Sequence, residues 1–228
     1  MLENAVRQLY HLTICPHSRL ARLILAEKNL DFKLIVEKNW LERPEFIALN
    51  PAGTLPVLVE SSGLIVSDVY PLVEYLEETY PSHTKLITGG PAVHVEVRKL
   101  ISWIREKFDR EVTQILLHER VMKRFYRQGW ADSKELRRAT TNLNHHLTYF
   151  TYFLQERDWL ASPYLSIADL YLAAHLSVID FLGYMPWGKF QLIKNWYACI
   201  KSRPSFRPLL ADHFSGISPP SHYSNLDF

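Results

Sequence analysis

Cys15 is the residue of this sequence best suited to covalent chemistry. It precedes Pro16 and stands between a strand-like and a helix-like segment, so its thiol would lie at a helix N-terminus. The partial positive charge there stabilises a thiolate and lowers the pKa of a cysteine. Cys15 is therefore a candidate reactive thiol. The alternative is a small apolar residue beneath the helix, because cysteine is among the most buried residue types.

Other residue patterns predict neither a metal site nor a phosphate-binding loop. The ten histidines are scattered, and the one adjacent pair, His145-His146, would point about 100° apart on a helix. The sequence contains no C-x-x-C, no G-x-G-x-x-G and no G-x-x-x-x-G-K-[ST]. We therefore expect no metal and no glycine-rich phosphate site.

Composition and charge place the chain among ordinary globular proteins. Of its 228 residues, 47% are hydrophobic and 22% are charged, which excludes a disordered chain. The net charge of +2 gives no reason to expect a nucleic acid or an anionic membrane as a partner. No stretch reaches the ~18 apolar residues of a membrane span, and no signal peptide is recognised. With two cysteines only, we expect a cytoplasmic protein.

Short strand-like and helix-like segments alternate over the first eighty residues. Their order, β-α-β and then β-β-α, predicts a small mixed sheet with helices packed on it. Asn50-Pro51-Ala52-Gly53-Thr54 supplies a turn before the second half. The predicted strands are 6–12, 32–36, 56–60 and 64–66, and the predicted helices are 18–28 and 68–80.

Only helical periodicity follows a linker at residues 81–91. A long apolar stripe runs from Val93 to Leu116, and further helices are predicted near 133–155 and 190–201. Another begins at Ser166, where Asp169 completes a variant of the capping box. The final segment, 215–228, has no period and contains Pro219-Pro220, which cannot extend a helix.

Three local motifs resemble the glutathione S-transferase superfamily. They are Asn50-Pro51-Ala52-Gly53-Thr54-Leu55-Pro56-Val57-Leu58, Val66-Ser67-Asp68 with the helix after it, and Ser166-Ile167-Ala168-Asp169. The resemblance implies an α+β thioredoxin-like domain at 1–82, an all-α domain at 92–214 and a C-terminal tail at 215–228. It also implies a cis Leu55–Pro56 bond. A homodimer is implied as well, with each α/β domain against the helical domain of its partner.

The same resemblance identifies the positions equivalent to a glutathione site. Cys15 stands where the family has the Ser or Cys that activates the glutathione thiol. The family commonly uses Glu-Ser to bind the ends of glutathione, whereas this chain has Ser67-Asp68. A negative Asp68 caps the helix and repels an anionic ligand. We therefore expect no resident cofactor. Glutathione would be a cofactor only under the alternative hypothesis, that the protein is an enzyme.

The tail resembles the ending of superfamily members that act in bacterial cell division and bind the tubulin-like polymer FtsZ. The matching residues are Pro219-Pro220, His222-Tyr223 and Leu226-Asp227-Phe228. The resemblance implies FtsZ as a partner, contacted by Tyr223, Leu226, Asp227 and Phe228. Aromatic anchors beside a charge concentrate binding energy in small interfaces. The alternative is a tail that folds back on its own helical domain, with Phe228 completing the core.

Two further segments are candidates for the same surface. Trp40 lies in a loop beside charged residues and either contacts the partner or packs under its own loop. Glu119 matches a charged stretch of the division-associated proteins, and the alternative is a solvated helix face. The basic run Arg120, Lys123, Arg124 and Arg127 is interpreted as a solvated face rather than a nucleic-acid site.

The sequence thus supports two hypotheses. The preferred one is a non-catalytic adaptor of transferase fold at the division site, which binds FtsZ filaments and alters their curvature or bundling. The alternative is a glutathione-dependent transferase or reductase that uses Cys15. Ser67-Asp68 counts against the enzyme, and the tail counts for the adaptor.

Overall fold

The computed structural model describes residues 6–81 and 83–226 and divides them into two compact units. The first unit holds the described residues up to 86 together with 212–214, and the second holds 87–211 and 215–226. The chain therefore returns to the first unit for three residues before its last segment joins the second.

A four-stranded sheet forms the centre of the first unit, with the strand order β2-β1-β3-β4. β1 runs parallel to β2 and antiparallel to β3, so that Leu9 stands opposite Leu34 on one side and Leu58 on the other. β3 and β4 form the predicted hairpin, which confirms the small mixed sheet. The strands are β1 (Arg7–His11), β2 (Phe32–Val36), β3 (Val57–Val59) and β4 (Ile65–Ser67).

Three helices accompany the sheet. Helices α1 and α3 pack against each other, and their apolar stripes, such as Leu23 on α1 and Leu72 on α3, are fully buried. Each such side chain contributes about 1.5–3 kcal/mol of transfer free energy. The helices are α1 (Pro16–Glu27), α2 (Pro44–Leu49) and α3 (Val69–Thr79), with a 3-10 turn at Asn39–Leu41.

Two ion pairs connect α1 to other segments of this unit. Asp212 accepts two hydrogen bonds from the Arg22 guanidinium, at 2.7 and 3.0 Å, which fixes the returning segment 212–214 against α1. Lys28, at the end of α1, pairs with Glu77 of α3 at 2.7 Å. Paired and bidentate contacts are what buried charges require.

The regular elements of the second unit are all helices within the described residues. Its first helix is continuous from Pro91 to Phe125 and includes two π-helical segments, which widen the turn locally. The segments in order are α4 (Pro91–Ser102), π-helical Trp103–Thr113, α5 (Gln114–Leu117), π-helical His118–Met122 and α6 (Lys123–Phe125). They are followed by α7 (Ser133–Leu154), α8 (Ile167–Phe181), a 3-10 turn at Trp187–Lys189, α9 (Gln191–Lys201) and α10 (Arg207–Leu210).

Helix α8 is the core of the second unit, since all fifteen of its residues are buried. It is apolar on nearly every side, as expected of a central helix. The predicted cap at its start is confirmed: Asp169 accepts from the amide and hydroxyl of Ser166 at 2.9 and 2.7 Å. Burial raises the pKa of Asp169, and the same hydrogen bonds oppose that increase.

The strands and most helices match the predictions to within a few residues, whereas the long helix continues beyond the predicted stripe to Phe125, and the short helices α2 and α10 are not predicted. Helix α2 buries Phe46 alone and α10 buries Leu209 alone, so neither leaves a repeating apolar pattern. No helix within the described residues is both long and apolar enough to span a bilayer.

Candidate functional site

Cys15 is the N-cap residue of α1. Its backbone amide donates to the Leu12 carbonyl, and its own carbonyl accepts from the Arg19 amide, both at 3.0 Å. The residue is half-buried. Cys15 therefore sits at the positive end of a helix, which stabilises a thiolate.

The glutathione-equivalent positions have the expected backbone and an unfavourable charge. The Leu55–Pro56 bond is cis, as predicted, and the Asp68 amide donates to the Pro56 carbonyl at 3.2 Å. Asp68 is exposed and caps α3 by accepting from the Tyr70 amide, while Ser67 is half-buried at the end of β4. A ligand carboxylate placed at this helix end would meet the Asp68 carboxylate, which repels it.

The tail is packed into the helical unit as far as the structure describes it. Tyr223 is 1% exposed, and its hydroxyl donates to the Leu209 carbonyl at 3.2 Å. Its ring and that of Phe181 make an edge-to-face contact, with 5.3 Å between centroids. Pro220 lies so close to Gly183 that an added Cβ there would be 3.3 Å from its Cγ. The tail is thus anchored by one buried aromatic residue rather than extended into solvent.

A buried polar cluster secures the same segment. Asp180 Oδ1 accepts a hydrogen bond from Trp187 Nε1 and pairs with His222 Nε2, both at 2.9 Å. Lys201 Nζ donates to the His222 carbonyl at 3.4 Å. Burial raises the pKa of Asp180 and lowers the pKa of Lys201 to about 8, and the attraction between the two charges opposes both shifts. Sequence reasoning missed this cluster, because its members come from four separate segments.

A pocket of about 780 Å³ lies where the tail meets the end of the long helix. The basic run that was interpreted as a solvated face forms one wall of it. Spacing of three and four residues places Arg120, Lys123 and Arg124 on one side of the helix, and Arg127 lies in the turn that follows it. Trp130, which is 96% exposed, and the tail residues Gly216, Ile217 and Ser218 also line the pocket. We call this the basic pocket; its cations are Arg120, Lys123, Arg124 and Arg127.

Glu119 lines the basic pocket and connects two segments of the helical unit. It is buried, and its Oε2 accepts from Lys123 Nζ and from the backbone amide of Asp132, both at 2.6 Å. Burial alone would raise the pKa of Glu119, but these hydrogen bonds lower it below its usual range. Glu119 therefore connects the long helix to the start of α7 and is not part of a solvated face.

The other predicted contact residues are distributed between the units. Trp40 lies in the 3-10 turn of the first unit and is half-buried. Leu226 is half-buried in the second unit, together with the buried Tyr223. Asp227 and Phe228 lie outside the described residues. Trp130 was not predicted, although an aromatic residue beside the basic run was a signal available in the sequence.

Comparisons with known families cover both units. The chain matches the family described as Glutathione S-transferase, N-terminal domain over residues 9–84. It matches the family described as Glutathione S-transferase, C-terminal domain over residues 117–213. The tail from 215 onward lies beyond both matches.

Individual relatives cover nearly the whole chain. It is 45% identical to FtsZ-localized protein A of Caulobacter vibrioides over 225 residues, which are 97% of this chain and 98% of that protein. The structure of FzlA from C. crescentus superposes with a TM-score of 0.95 at 45% identity, covering 98% of this chain and 100% of that one. A crystal structure of a glutathione S-transferase from Rhodospirillum rubrum F11 gives a TM-score of 0.94 at 44% identity, with the same coverage.

Proposed function

The chain belongs to the glutathione S-transferase family, and from that premise we propose that it is a non-catalytic adaptor in bacterial cell division. It binds FtsZ filaments in the cytoplasm at the division site and modulates their curvature or bundling. The observation that carries this proposal is the 45% identity, over nearly the full length, to a protein named for its localisation to FtsZ.

The geometry of the helical unit supports binding rather than catalysis. The tail packs into the unit through Tyr223 and leaves a concave, solvent-facing pocket beside an exposed Trp130. Tryptophan and arginine are the residues most often found at binding hot spots. By contrast, Asp68 opposes the anionic ligand that a glutathione-dependent enzyme needs.

The proposed filament contacts are the residues at the end of the tail and Trp40. Tyr223 acts here as the anchor that fixes the described part of the tail, and the proposed contacts are Leu226, Asp227 and Phe228 after it. The adaptor is a homodimer, and two such tails on one particle would link neighbouring sites of a polymer with increased avidity.

A truncation after Ser224 tests the proposal, because it removes the last four residues and leaves the Tyr223 anchor in place. We expect it to weaken co-sedimentation with FtsZ filaments at least tenfold and to abolish the change in filament curvature seen by electron microscopy. The matched control is Tyr164→Ala, an exposed aromatic residue of the same unit, which should bind normally. Unchanged binding by the truncated chain, together with tight glutathione binding by the full chain, would contradict the proposal.

The half-buried Cys15 at the start of α1 favours one alternative, a glutathione-dependent transferase or reductase. This enzyme would conjugate or reduce its substrate through glutathione, and Cys15→Ala would abolish turnover. The adaptor proposal expects the opposite result. Cys15→Ala should bind and bend filaments like the unaltered chain, and calorimetric titration with glutathione should show only weak heat changes.

A further inference from the structure

The basic pocket has an excess of positive charge that its own contacts do not neutralise. Four cationic side chains share the pocket with one carboxylate, that of Glu119, which is already paired with Lys123 at 2.6 Å. Arg124 donates to the Gly216 carbonyl at 2.5 Å and so fixes the tail wall. Among the described residues, neither Arg120 nor Arg127 forms an ion pair, and both are exposed. These two guanidinium groups are therefore available to an anionic ligand.

The pocket also offers an apolar surface next to those cations. Trp130 is almost fully exposed, which is unusual for a side chain whose indole ring gains free energy from burial. Arg120 lies over the ring of Tyr184 at 5.8 Å from the centroid, which restrains its guanidinium. A ligand that fits must therefore combine negative charge with an apolar group.

The size of the pocket limits the class of ligand further. About 780 Å³ matches sites that enclose one small molecule or a few residues of peptide. Nucleic-acid surfaces instead have a basic stripe along a groove and usually a strongly basic domain, whereas this chain carries a net charge of +2. A carboxylate-bearing peptide satisfies charge, apolar contact and size together, because arginine binds carboxylates bidentately.

We propose that the basic pocket binds a short acidic peptide segment, with carboxylates on Arg120 and Arg127 and a neighbouring apolar side chain on Trp130. The tail then contributes as a wall of the pocket, fixed by Arg124, in addition to any contact made by its end. This inference deepens the proposed function and rests on it for the owner of the peptide, which would be the filament protein.

Fluorescence anisotropy with a labelled hexapeptide of Asp and Glu around one Phe tests the proposal, using the full chain. The double variant Arg120→Glu/Arg127→Glu should weaken binding at least tenfold, and Trp130→Ala about threefold to tenfold. Arg137→Glu, an exposed cation of α7 outside the pocket, and Tyr164→Ala are the matched controls and should bind normally. Raising the salt concentration from 50 to 500 mM should weaken the binding of the acidic peptide, since exposed ion pairs are screened.

Several outcomes would overturn the inference. Equal binding of a peptide with Asn and Gln in place of the acids would do so, as would an equal loss in Arg137→Glu. Tighter binding of a single-stranded oligonucleotide, lost in the double variant, would identify a nucleic-acid site instead. Absence of peptide binding overturns the proposed peptide site even if the chain binds filaments. If the peptide binds but filaments do not, the proposed function is overturned and the proposed peptide site stands.

Discussion

Glu119 is a buried carboxylate whose two hydrogen-bond donors come from different segments. Lys123 lies one turn further along the same helix, and the Asp132 amide lies thirteen residues away at the N-cap of α7. Losing such an acceptor leaves a part-buried ammonium and a part-buried amide without their partner. The residue therefore shapes the basic pocket through Lys123 and the turn that carries Trp130.

Replacing Glu119 should destabilise the helical unit and weaken binding indirectly. We expect Glu119→Ala to lower the free energy of unfolding by about 1–3 kcal/mol, the usual range for unsatisfied buried groups. Glu119→Gln keeps one acceptor oxygen and should recover a large part of that loss in urea unfolding. Equal stability of the Ala variant and the unaltered chain would show that these hydrogen bonds contribute nothing.

The acid side of the pH profile should also contain a contribution from Glu119. Its pKa is lower in the folded chain than in the unfolded one, so its stabilisation is present above the unfolded pKa. That stabilisation is lost as the pH falls through the folded pKa. The loss should be absent from Glu119→Gln, which does not titrate.

His11 in the first unit predicts a pH effect in a different window. It is 2% exposed, and burial together with the charge of Arg22 lowers its pKa to about 4, while Asp212 acts in the opposite direction. Because the folded pKa lies below the unfolded value near 6.5, the unfolded chain binds the proton first. Stability should therefore fall by about 2 kcal/mol between pH 7 and pH 5.

Urea unfolding at the two pH values measures this effect, with His11→Gln as the non-titrating variant. The variant should show a flatter dependence on pH in the first unit. An identical slope for both chains would mean that other groups cause the loss of stability in this window.

At the scale of elements, the segment 215–226 behaves as part of the helical unit. It contributes a buried aromatic ring, a histidine on a buried aspartate and a proline against Gly183. These contacts fix where the residues after Tyr223 begin. A tail anchored in this way loses less conformational entropy when its end binds a partner.

Two substitutions of Tyr223 separate the contribution of its ring packing from that of its hydrogen bond. Tyr223→Ala should cost about 3–5 kcal/mol, as for other large buried rings, and should release the tail to proteolysis. Tyr223→Phe keeps the contact with Phe181 and removes only the bond to Leu209, at about 1 kcal/mol. Thermal unfolding with limited proteolysis measures both, and similar losses in the two variants would contradict a packing anchor.

At the scale of the whole molecule, the proposed function includes a homodimer. The chain has a mass of 26.7 kDa, so sedimentation equilibrium should give about twice that value for the homodimer. With two-fold symmetry, the proposed dimer would have two tails and two basic pockets, and two binding sites on one particle would allow it to bundle or bend a polymer. A species of chain mass at all concentrations would exclude this mode of action and leave only one-site binding.

The sequence by itself determined the elements and their order. The apolar periods of α1, α3 and α8, the alternating strands and the Ser166–Asp169 cap are local patterns, and local patterns can be detected without knowing what packs on them. The family motifs likewise located the cis Leu55–Pro56 bond, Cys15 and Ser67-Asp68. Short elements such as α2 bury too few residues to leave a pattern.

Only the tertiary structure decided which polar residues form a site. Glu119 accepts a hydrogen bond from an amide thirteen residues away, and the basic run becomes a pocket because Gly216, 92 residues beyond Arg124, closes its side. Burial depends on the segment that covers a residue, and no local pattern specifies that segment. The cluster of Asp180, His222 and Lys201 could not be predicted for the same reason, because these residues come together only when the tail folds onto the helices.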